Sequence, residues 1–371
     1  MPKIAIICDW LTNYGGAERV IETISNLYPE APIFTSIFNE EKMPSFKGTN
    51  IITSFIQKLP GSKLNHRPFL KLMPYAFEQF DLSGYDIVLS SSHSAAKGVI
   101  TKAETLHISY CHNPMRYVWD DFHDYINRQR IPKFLRGFVH YALSDIRVWD
   151  RMAADRVDAF VANSNCVKKR IKKFYRRDSD VIYPPCNIDK FNLSEKEGTY
   201  FLAIGRLIAY KRFDLIVEAF NKNKLPLKIV GEGGELEHLK EMAKSNIQFL
   251  GRVPENELSL MYENCKALIF PQFEDFGIIP VEAMACGRPV ICFAKGGALE
   301  TVIDKKTGIY FQDQTSESLN HGIKEFLETE FDFKKIRAHC EKFSGEKFEA
   351  HFSQYVRKTY KAYNNNEFIF K

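Results

Sequence analysis

Two glutamates separated by seven residues form the most chemically suggestive spacing in the chain. In "PQFEDFGIIPVEAMACGRPVI", Glu274 and Asp275 follow an apolar run, and Glu282 lies eight residues after Glu274 within a helical pattern. A loop carboxylate and a helix carboxylate at this spacing can point into one cleft, with helix N-terminal amides between them. Carboxylates accept hydrogen bonds from neighbouring hydroxyls, so the pair could hold a sugar or a ribose. A structural role at a helix start is the commoner explanation for Glu274 and Asp275 taken alone.

Two cations lie earlier in the same half, in "GRLIAYKRFDLIVEAF". Arg206 and Lys211 come just after a strand-like run and before a helical one. The carboxyl end of a parallel strand is where an open α/β sheet binds ligand, and two cations there could neutralise a diphosphate without a metal. An isolated pair of this kind is more often two solvated surface charges.

The first half offers weaker signals at the ends of two strand-like runs. In "CDWLTNYGGAERVIETI", the amides of Gly15 and Gly16 and the start of a helix could contact a phosphate. The pattern is not G-x-G-x-x-G, and a glycine pair alone is more often a tight turn. His112 ends the run "ISYCHN", where a histidine is more often structural than catalytic.

These residues must be positioned by alternating strands and helices. Short β-branched runs alternate with helical periods throughout, a pattern typical of βαβ units and parallel sheets. The predicted strands of the first half are "KIAIICDW", "IFTSIF", "YDIVLSSS", "LHISYCHN" and "AFVANS". Those of the second half are "YFLAIGRL", "LPLKIVGEG", "NIQFLG", "ALIFPQ" and "PVICFA". Each half is therefore predicted to form its own doubly wound sheet.

The chain is too long for one hydrophobic core. At 371 residues, two domains are the natural expectation. Pro184 and Pro185 interrupt regular structure, so we place the boundary near residue 185. In the tail from residue 346, one helical stripe holds Phe348, Phe352, Val356 and Tyr360.

At the Glu274 to Glu282 string the chain resembles retaining glycosyltransferases of family 4, which have the GT-B fold. The signature is E-x7-E followed by a small-residue helix and G-x-P-V, written here as "AMACGRPVI". The resemblance extends over nearly the whole chain through "GGAERV", "GRL" with Lys211, "IVGEGGELEHLK", "IQFLGRV" and "GGALETVIDKKTGIYF". It implies two Rossmann-like, doubly wound parallel-sheet domains facing a cleft. Residues 1–185 would form the acceptor side, 186–345 would bind the nucleotide-sugar, and the helix in 346–371 would pack back on the first domain.

The resemblance implies four catalytic residues. Glu274 would face the transferred sugar, and His112 matches the family histidine that reaches this sugar from the first domain. Arg206 and Lys211 would hold the diphosphate, where charge accumulates in a transition state of oxocarbenium character. The leaving phosphate would accept the proton, anomeric configuration would be retained, and neither metal nor cofactor would be needed.

Further residues would bind the donor. Glu282 would hold the nucleotide ribose, and the backbone of Phe276 and Gly277 would lie near the sugar hydroxyls. The implied donor-binding set is Gly15, Gly16, Asp275, Phe276, Gly277, Ile278 and Glu282.

Within the family, "CDWL…GGAERV", "SSSHSAAKGV" and "YCHNPMRYVWD" look most like bacterial mannosyltransferases of O-antigen and exopolysaccharide assembly. The preferred donor is therefore GDP-mannose, with a UDP-sugar as the alternative, because Cys8 replaces the subgroup's usual histidine and a few pocket side chains decide the donor. The acceptor would be a lipid-linked glycan or a polysaccharide, as in lipopolysaccharide biosynthesis. Asp9 and His93 are the acceptor-side candidates.

Two other functions fit the same architecture less well. A nucleotide-sugar epimerase would not need the transferase signature. A non-enzymatic sugar-binding protein would normally carry an export signal and need no diphosphate cations. A nucleic-acid partner is disfavoured because the net charge is only +5 and no recognition motif is found.

Composition indicates the compartment and a surface. The eight cysteines show no C-x-x-C pair or zinc spacing, and the N-terminal residues "MPKIAIICDW" enter a strand without a signal peptide, so we expect a cytoplasmic protein. Residues 1–190 hold 26 basic and 20 acidic residues, against 25 and 26 in the remainder. Basic and apolar residues mix in "FIQKLPGSKLNHRPFLKLMPYAF", "RQRIPKFLRGFVHYAL" and "CVKKRIKKFYRR". Such segments suit peripheral contact with an anionic membrane surface or with an anionic acceptor, or they are solvated helices with apolar backs.

Overall fold

The computed structural model describes residues 2–123, 126, 132–365 and 367 and divides the chain into two α/β units. The first unit comprises residues 1–185 and 348–371, and the second comprises residues 186–347. The two polypeptide crossings between the units therefore fall at Pro185 and near Lys347.

The first unit contains a seven-stranded sheet in which every strand is parallel to its neighbours. The order is β3-β2-β1-β4-β5-β6-β7. All six residues of β4 and of β5 are buried. Both faces of a parallel sheet are covered, which is why apolar segments of the sequence form its strands. The strands are β1 (Ile4–Cys8), β2 (Ile33–Thr35), β3 (Ile51–Thr53), β4 (Ile87–Ser92), β5 (Leu106–Cys111), β6 (Ala159–Ala162) and β7 (Asp180–Val181).

Four helices precede the domain boundary in the described part of this unit. They are α1 (Gly16–Leu27), α2 (Met73–Glu78), α3 (Lys133–Asp155) and α4 (Asn165–Arg170). Shorter 3-10 turns cover Glu40–Lys42, Pro44–Phe46, Phe55–Lys58, Arg67–Leu72 and Ala96–Gly98, and a π turn, Ile171–Tyr175, continues α4.

The second unit repeats the architecture with six parallel strands in the order β10-β9-β8-β11-β12-β13. The strands are β8 (Tyr200–Ile204), β9 (Leu227–Val230), β10 (Ile247–Phe249), β11 (Cys265–Phe270), β12 (Val290–Phe293) and β13 (Gly308–Phe311). Its helices are α5 (Phe213–Asn223), α6 (Leu236–Met242), α7 (Glu255–Glu263), α8 (Ile278–Ala285), α9 (Ala298–Thr301), α10 (Ser316–Leu327) and α11 (Phe333–Cys340), with 3-10 turns at Ile188–Lys190, Ala209–Lys211 and Glu341–Phe343.

The last helix, α12 (Gly345–Asn364), returns the chain to the first unit. Phe348, Phe352 and Val356 are buried in the core that covers one face of the first sheet. Tyr110 of β5 meets the rings of both phenylalanines, at centroid distances of 5.7 and 6.1 Å. The helical stripe seen in the sequence is thus the buried face of α12.

Three strands were not predicted from the sequence. β3 and β7 have three and two residues, too few to show a periodicity. β13 begins at Gly308, which the sequence presents as a turn residue. In the sheet, a side chain at Gly308 would lie 2.0 Å from the Val290 carbonyl oxygen, so glycine allows the close approach of β12.

Among the described helices, none combines the length and apolar character that crossing a bilayer requires.

Candidate functional site

The strand order of the second unit determines where a ligand can bind. The order 3-2-1-4-5-6 reverses direction between β8 and β11, and ligands of such sheets bind at this switch point beyond the carboxyl ends of the strands. Arg206 lies two residues after β8, and Glu274 lies four residues after β11. Sequence-predicted residues therefore occur on both loops of the switch point.

Lys211 and Glu274 form an ion pair. The 3-10 turn Ala209–Lys211 presents the buried lysine, whose Nζ donates to Glu274 Oε1. The lysine side chain is 11% exposed and the glutamate side chain 24%, so the pair is reachable from solvent only at its edge. Sequence analysis assigned the two residues separately to diphosphate and sugar. The structure brings the cation and the carboxylate within one hydrogen bond of each other.

Arg206 is exposed and makes no ion pair with any residue in the described ranges. Its loop is held by close glycine contacts. A side chain at Gly231 would lie 1.9 Å from the Gly205 carbonyl oxygen, and one at Gly233 would lie 2.2 Å from the Leu207 carbonyl oxygen. The "IVGEGGE" motif therefore fixes the loop that carries Arg206.

Glu282 lies in α8 and is buried, in contrast with Glu274. Tyr262 of α7 is fully buried, and its Oη donates to Glu282 Oε2 at 3.0 Å. Burial, with the neighbouring Glu282 charge, raises the Tyr262 pKa well above its usual value, so the phenol stays a donor. Sequence analysis missed Tyr262, which lies 20 residues before Glu282 in another helix.

The loop between the two glutamates adopts a backbone that needs glycine. Gly277 has φ of 88° and immediately precedes α8, whose first residue is Ile278. Phe276 is buried, with its ring against Phe343 at 5.4 Å, whereas Asp275 is half-buried. The amides at the start of α8 thus belong to residues between Glu274 and Glu282.

A second glycine pair supports this loop. The Gly297 N–H donates to the Glu274 carbonyl at 2.8 Å, and a side chain at Gly297 would lie 2.3 Å from the Phe276 backbone. Gly296 has φ of 70°, and a side chain there would meet the Glu274 carbonyl oxygen at 2.4 Å. These glycines open the quoted motif "GGALETV", whose position in the family order was the available signal for them.

In the first unit, Asp9 and His93 lie at the corresponding switch point, after β1 and β4. Asp9 is buried, and its oxygens accept the backbone N–H groups of His93, Ser94 and Ala96 at 2.7 to 2.9 Å. His93 Nδ1 also lies 3.1 Å from Asp9 Oδ2. Asp9 therefore orients both the backbone and the ring of His93.

His112 follows β5 and adjoins the same loops. Its Nε2 lies 2.8 Å from Ser91 Oγ, and its ring is 6.3 Å from that of His93. Burial, with a smaller contribution from His93, lowers the His112 pKa to about 3. The imidazole is therefore neutral at physiological pH, and it interacts through hydrogen bonds and not as a cation.

The glycine pair of the first unit lies beside an acidic side chain. Gly15 precedes α1, which begins at Gly16. The Glu18 carboxylate, which is buried and whose pKa burial raises, lies close to this backbone: a side chain at Gly15 would lie 3.2 Å from Glu18 Oε2. A phosphate at Gly15 would lie beside this carboxylate, and Gly15 and Gly16 stay predictions as donor contacts.

A cavity of about 190 Å³ opens beside Asp9 and His93 in the first unit. Trp10 forms one wall, with His66 stacked on it at 4.0 Å and His93 edge-on at 4.7 Å. Burial lowers the His66 pKa to about 4, so this ring is neutral as well. The cavity is lined by Trp10, His66, Arg67, Leu70, His93, Asn113, Arg116 and Tyr117. Aromatic faces, amides and guanidinium groups together suit a hydroxyl-rich ring.

Within the ranges that the structure describes, no three His, Cys, Asp or Glu side chains are grouped to hold a metal ion.

Two family models match consecutive parts of the chain. Residues 14–190 match Glycosyltransferase Family 4, and residues 187–346 match Glycosyl transferases group 1. Alpha-1,3/1,6-mannosyltransferase ALG2 of Mus musculus is 26% identical over 336 residues, covering 78% of each chain. O-antigen chain mannosyltransferase RfbU of Salmonella typhimurium is 32% identical over 157 residues, covering 38% of this chain and 43% of its own. Two further relatives are matched over only 54% and 64% of their own length.

Solved structures agree on the fold. Anabaena Alr3699/HepE, crystallised with UDP and glucose, superposes with a TM-score of 0.68 at 17% identity, covering 96% of this chain and 100% of that one. Sucrose-phosphate synthase from Thermosynechococcus elongatus gives a TM-score of 0.71, also at 17% identity, covering 98% and 100%. Such low identity shows the fold alone. The two family models together span residues 14–346, and the fold of this chain agrees with that of the solved glycosyltransferase structures. This chain therefore belongs to the family 4 glycosyltransferases, which have the GT-B fold.

Proposed function

We propose that this glycosyltransferase moves a hexose from a nucleotide-sugar to an acceptor hydroxyl with retention of anomeric configuration. The observation that carries the proposal is the Lys211–Glu274 ion pair beside α8, which bears the buried Glu282. A nucleotide-sugar presents a sugar, a diphosphate and a ribose in that order. The exposed-edge carboxylate, the cation and the buried carboxylate have the chemistry to hold these three groups in the same order.

In the proposed reaction the acceptor oxygen bonds to the anomeric carbon as the bond from that carbon to the diphosphate oxygen breaks. The acceptor proton passes to the departing phosphate, so no separate base is required. Lys211 and Arg206 stabilise the charge that develops on the diphosphate, and Glu274 stabilises the sugar as it gains positive character. In this proposal the charges of Lys211 and Arg206 take the place of a metal ion.

His112 is assigned to the transferred sugar as a neutral hydrogen-bonding group. Its depressed pKa supports this, because a protonated imidazole would oppose positive charge developing on the sugar. Asp275, the backbone of Phe276 to Ile278, and the amides of Gly15 and Gly16 complete the proposed donor contacts.

For the donor we prefer GDP-mannose, with a UDP-sugar as the alternative. Two relatives are named as mannosyltransferases, which favours mannose. HepE was crystallised with UDP and glucose, which supports a UDP-sugar as the alternative donor. Thermal shift and slow hydrolysis across GDP- and UDP-sugars distinguish them, since the true donor stabilises the folded chain by mass action. Stronger stabilisation by UDP-glucose than by GDP-mannose would reject our preference.

For the acceptor we propose a lipid-linked or polysaccharide glycan of cell-surface synthesis, used in the cytoplasm at the inner face of the cell membrane. The cavity beside Trp10 and His93 is the proposed acceptor site, with Asp9 orienting His93. His93→Asn should therefore raise the KM for acceptor while donor hydrolysis in the absence of acceptor is preserved. Loss of donor hydrolysis would instead assign His93 to the donor.

The main test compares the proposed roles of Glu274 and Glu282. Glu274→Ala should remove turnover while keeping nucleotide binding, because this carboxylate acts at the reacting sugar. Glu282→Ala should weaken donor affinity first. Glu237→Ala is a matched control, since Glu237 is an exposed carboxylate of α6 paired only with Lys240 among the described ion pairs. Equal and small effects of Glu274→Ala and Glu282→Ala would contradict the assignment.

Metal independence is tested directly. Activity should survive EDTA, because Arg206 and Lys211 replace a divalent cation. Loss of transfer in EDTA with recovery in magnesium or manganese would overturn this account of phosphate neutralisation.

A further inference from the structure

The outer face of α3 exposes an apolar stripe that the described residues of the first unit do not cover. The exposed fractions are 83% for Phe134, 68% for Phe138, 66% for Tyr141, 62% for Val148 and 60% for Met152. Their spacings of three, four and seven residues place all five on one side of the helix. The stripe extends for about 27 Å at 1.5 Å per residue.

The stripe is distinct from the face of α3 that builds the core. Leu143, Ile146 and Ala153 are buried on the opposite side of the helix. A surface helix of a globular protein normally buries its apolar stripe and exposes polar residues. This helix is apolar on both sides, so the core does not explain Phe134, Phe138 and Tyr141.

A second exposed apolar group lies on the segment 60–75, which contacts α3. Leu64 is 82% exposed, and Leu72 and Tyr75 are exposed as well. Lys71 connects this segment to the stripe, since its Nζ lies 5.2 Å from the centre of the Tyr141 ring and 3.2 Å from Asp145 Oδ2. The exposed apolar surface is therefore composed of two neighbouring elements.

The charges around this surface are mainly positive. The segment 60–75 contains Lys63, Arg67 and Lys71 and no acidic residue. The acidic residue on the stripe, Asp145, is paired with Lys71, and Asp155 at the end of α3 is paired with Arg151. An apolar surface with basic residues beside it complements an anionic bilayer, which accepts apolar side chains below its negatively charged headgroups.

Another basic segment from the sequence, "CVKKRIKKFYRR", has the opposite character. It forms α4 and the π turn that follows, with Lys168, Lys169 and Lys172 exposed. Its apolar residues Val167 and Ile171 are buried. This segment is a solvated helix with an apolar back. The sequence alone could not separate it from α3.

We propose that the α3 stripe and the exposed residues of segment 60–75 dock the protein on an anionic lipid bilayer. Phe134, Phe138 and Tyr141 enter the interface, while Lys63 and Arg67 contact the headgroups. The proposed function supplies the reason for docking, since a lipid-linked acceptor lies in such a surface. The docking itself is a physical property that can be measured without any substrate.

The full chain is co-sedimented with vesicles of phosphatidylcholine alone and with added phosphatidylglycerol. We expect binding that increases with phosphatidylglycerol and decreases with salt, because basic residues attract the anionic headgroups. The double variant Phe134→Ser/Phe138→Ser should bind at least tenfold more weakly, with an unchanged melting temperature because both side chains are exposed. Lys63→Gln should weaken binding about fivefold, the effect of one basic residue near a charged surface.

Two matched controls use residues of similar type elsewhere. Leu260→Ser/Leu327→Ser removes two exposed leucines of the second unit, and Lys169→Gln/Lys172→Gln removes charge from the solvated helix. Both should bind vesicles within about twofold of the unchanged chain, since neither pair belongs to the docking surface. Equal losses in the control and α3 variants would overturn the proposal. So would an unchanged vesicle affinity in Phe134→Ser/Phe138→Ser accompanied by a change in oligomeric mass, which would assign the stripe to a second copy of the chain.

Nucleotide-sugar hydrolysis is measured on the same preparations in the absence of vesicles. Vesicle binding with no hydrolysis of any nucleotide-sugar contradicts the proposed function and leaves the docking surface supported. Hydrolysis with no vesicle binding contradicts the docking surface alone.

Discussion

Replacing Tyr262 with phenylalanine should weaken donor binding while leaving the sugar-transfer step intact. The substitution keeps the buried ring and removes the hydroxyl that donates to Glu282 Oε2 at 3.0 Å. If Glu282 holds the ribose, Tyr262 positions that carboxylate without touching the donor. The ribose does not change during the reaction, so its binding is equally strong in the ground state and in the transition state.

The size of the effect follows from the contact that is lost. A hydrogen bond to a charged group contributes about 1.5–3 kcal/mol, and a shift of 1 kcal/mol changes Tm by about 2–4 °C in a domain of this length. We therefore expect the second unit to melt about 4–8 °C lower, given a loss near 2 kcal/mol. Ordering a carboxylate that has lost this one hydrogen bond costs about 0.5–1.5 kcal/mol on binding, which is roughly a two- to tenfold increase in the dissociation constant.

The assay combines nucleotide titration by calorimetry with steady-state kinetics at saturating acceptor. Tyr200→Phe is the matched control, because Tyr200 Oη donates to the Met261 carbonyl at 3.0 Å instead of to a carboxylate. It should lower Tm and leave the donor dissociation constant unchanged. The reasoning is refuted if Tyr262→Phe lowers kcat with unchanged donor affinity, or if both variants weaken donor binding equally.

Three further predictions concern the loop, the acid stability and the thiols. Gly297→Ala should reduce kcat at least 100-fold, since its new side chain would lie 2.3 Å from the Phe276 backbone, whereas Gly234→Ala, in open space, should be nearly neutral in the same kinetic assay. Burial lowers the His107 pKa to about 3, so the unfolded chain binds a proton below about pH 6.5 that the folded chain excludes until about pH 3. The free energy of unfolding should therefore decrease as pH falls through this window. In denaturant titrations, the decrease between pH 7 and pH 5 should be smaller by about 2 kcal/mol in His107→Leu than in the unchanged chain. An equal decrease in both proteins would contradict this. Native protein should show one fast thiol toward an aromatic disulfide reagent, because seven cysteines are buried and Cys166 is half-buried; several fast thiols would contradict the packing.

The fold was largely predictable because its strands are long enough to carry a pattern. β4 ("IVLSSS") and β11 ("CKALIF") are six residues long and contain three consecutive apolar residues or more. Each lies between helical periods, which is typical of a strand in a sheet covered on both faces. β3 and β7 are edge strands of three and two residues, which hold no pattern to detect. β13 was missed because Gly308 resembles a turn residue, although it is required by the nearby Val290 carbonyl.

The candidate site was predictable in its residue types and incomplete in its contacts. The loop carrying Glu274 and the helix carrying Glu282 follow from eight residues of spacing, which is local information. The pairing of Lys211 with Glu274 joins residues 63 positions apart, and Tyr262 reaches Glu282 from a separate helix. Such contacts depend on how β8, β11 and α7 pack, which no local pattern encodes.

The different surroundings of the two glutamates give a physical reason for dividing their roles. Glu274 is paired with a cation at the edge of solvent. In the proposed function, a donor whose phosphate binds Lys211 would release this carboxylate toward the sugar. Glu282 is buried and accepts a hydrogen bond from Tyr262, so this contact holds the carboxylate in place whether or not phosphate is present. A carboxylate whose partner is exchanged during binding can respond to charge developing on the sugar, whereas one with a fixed partner is suited to uniform binding. The spacing E-x7-E places the two groups, and their partners differentiate them.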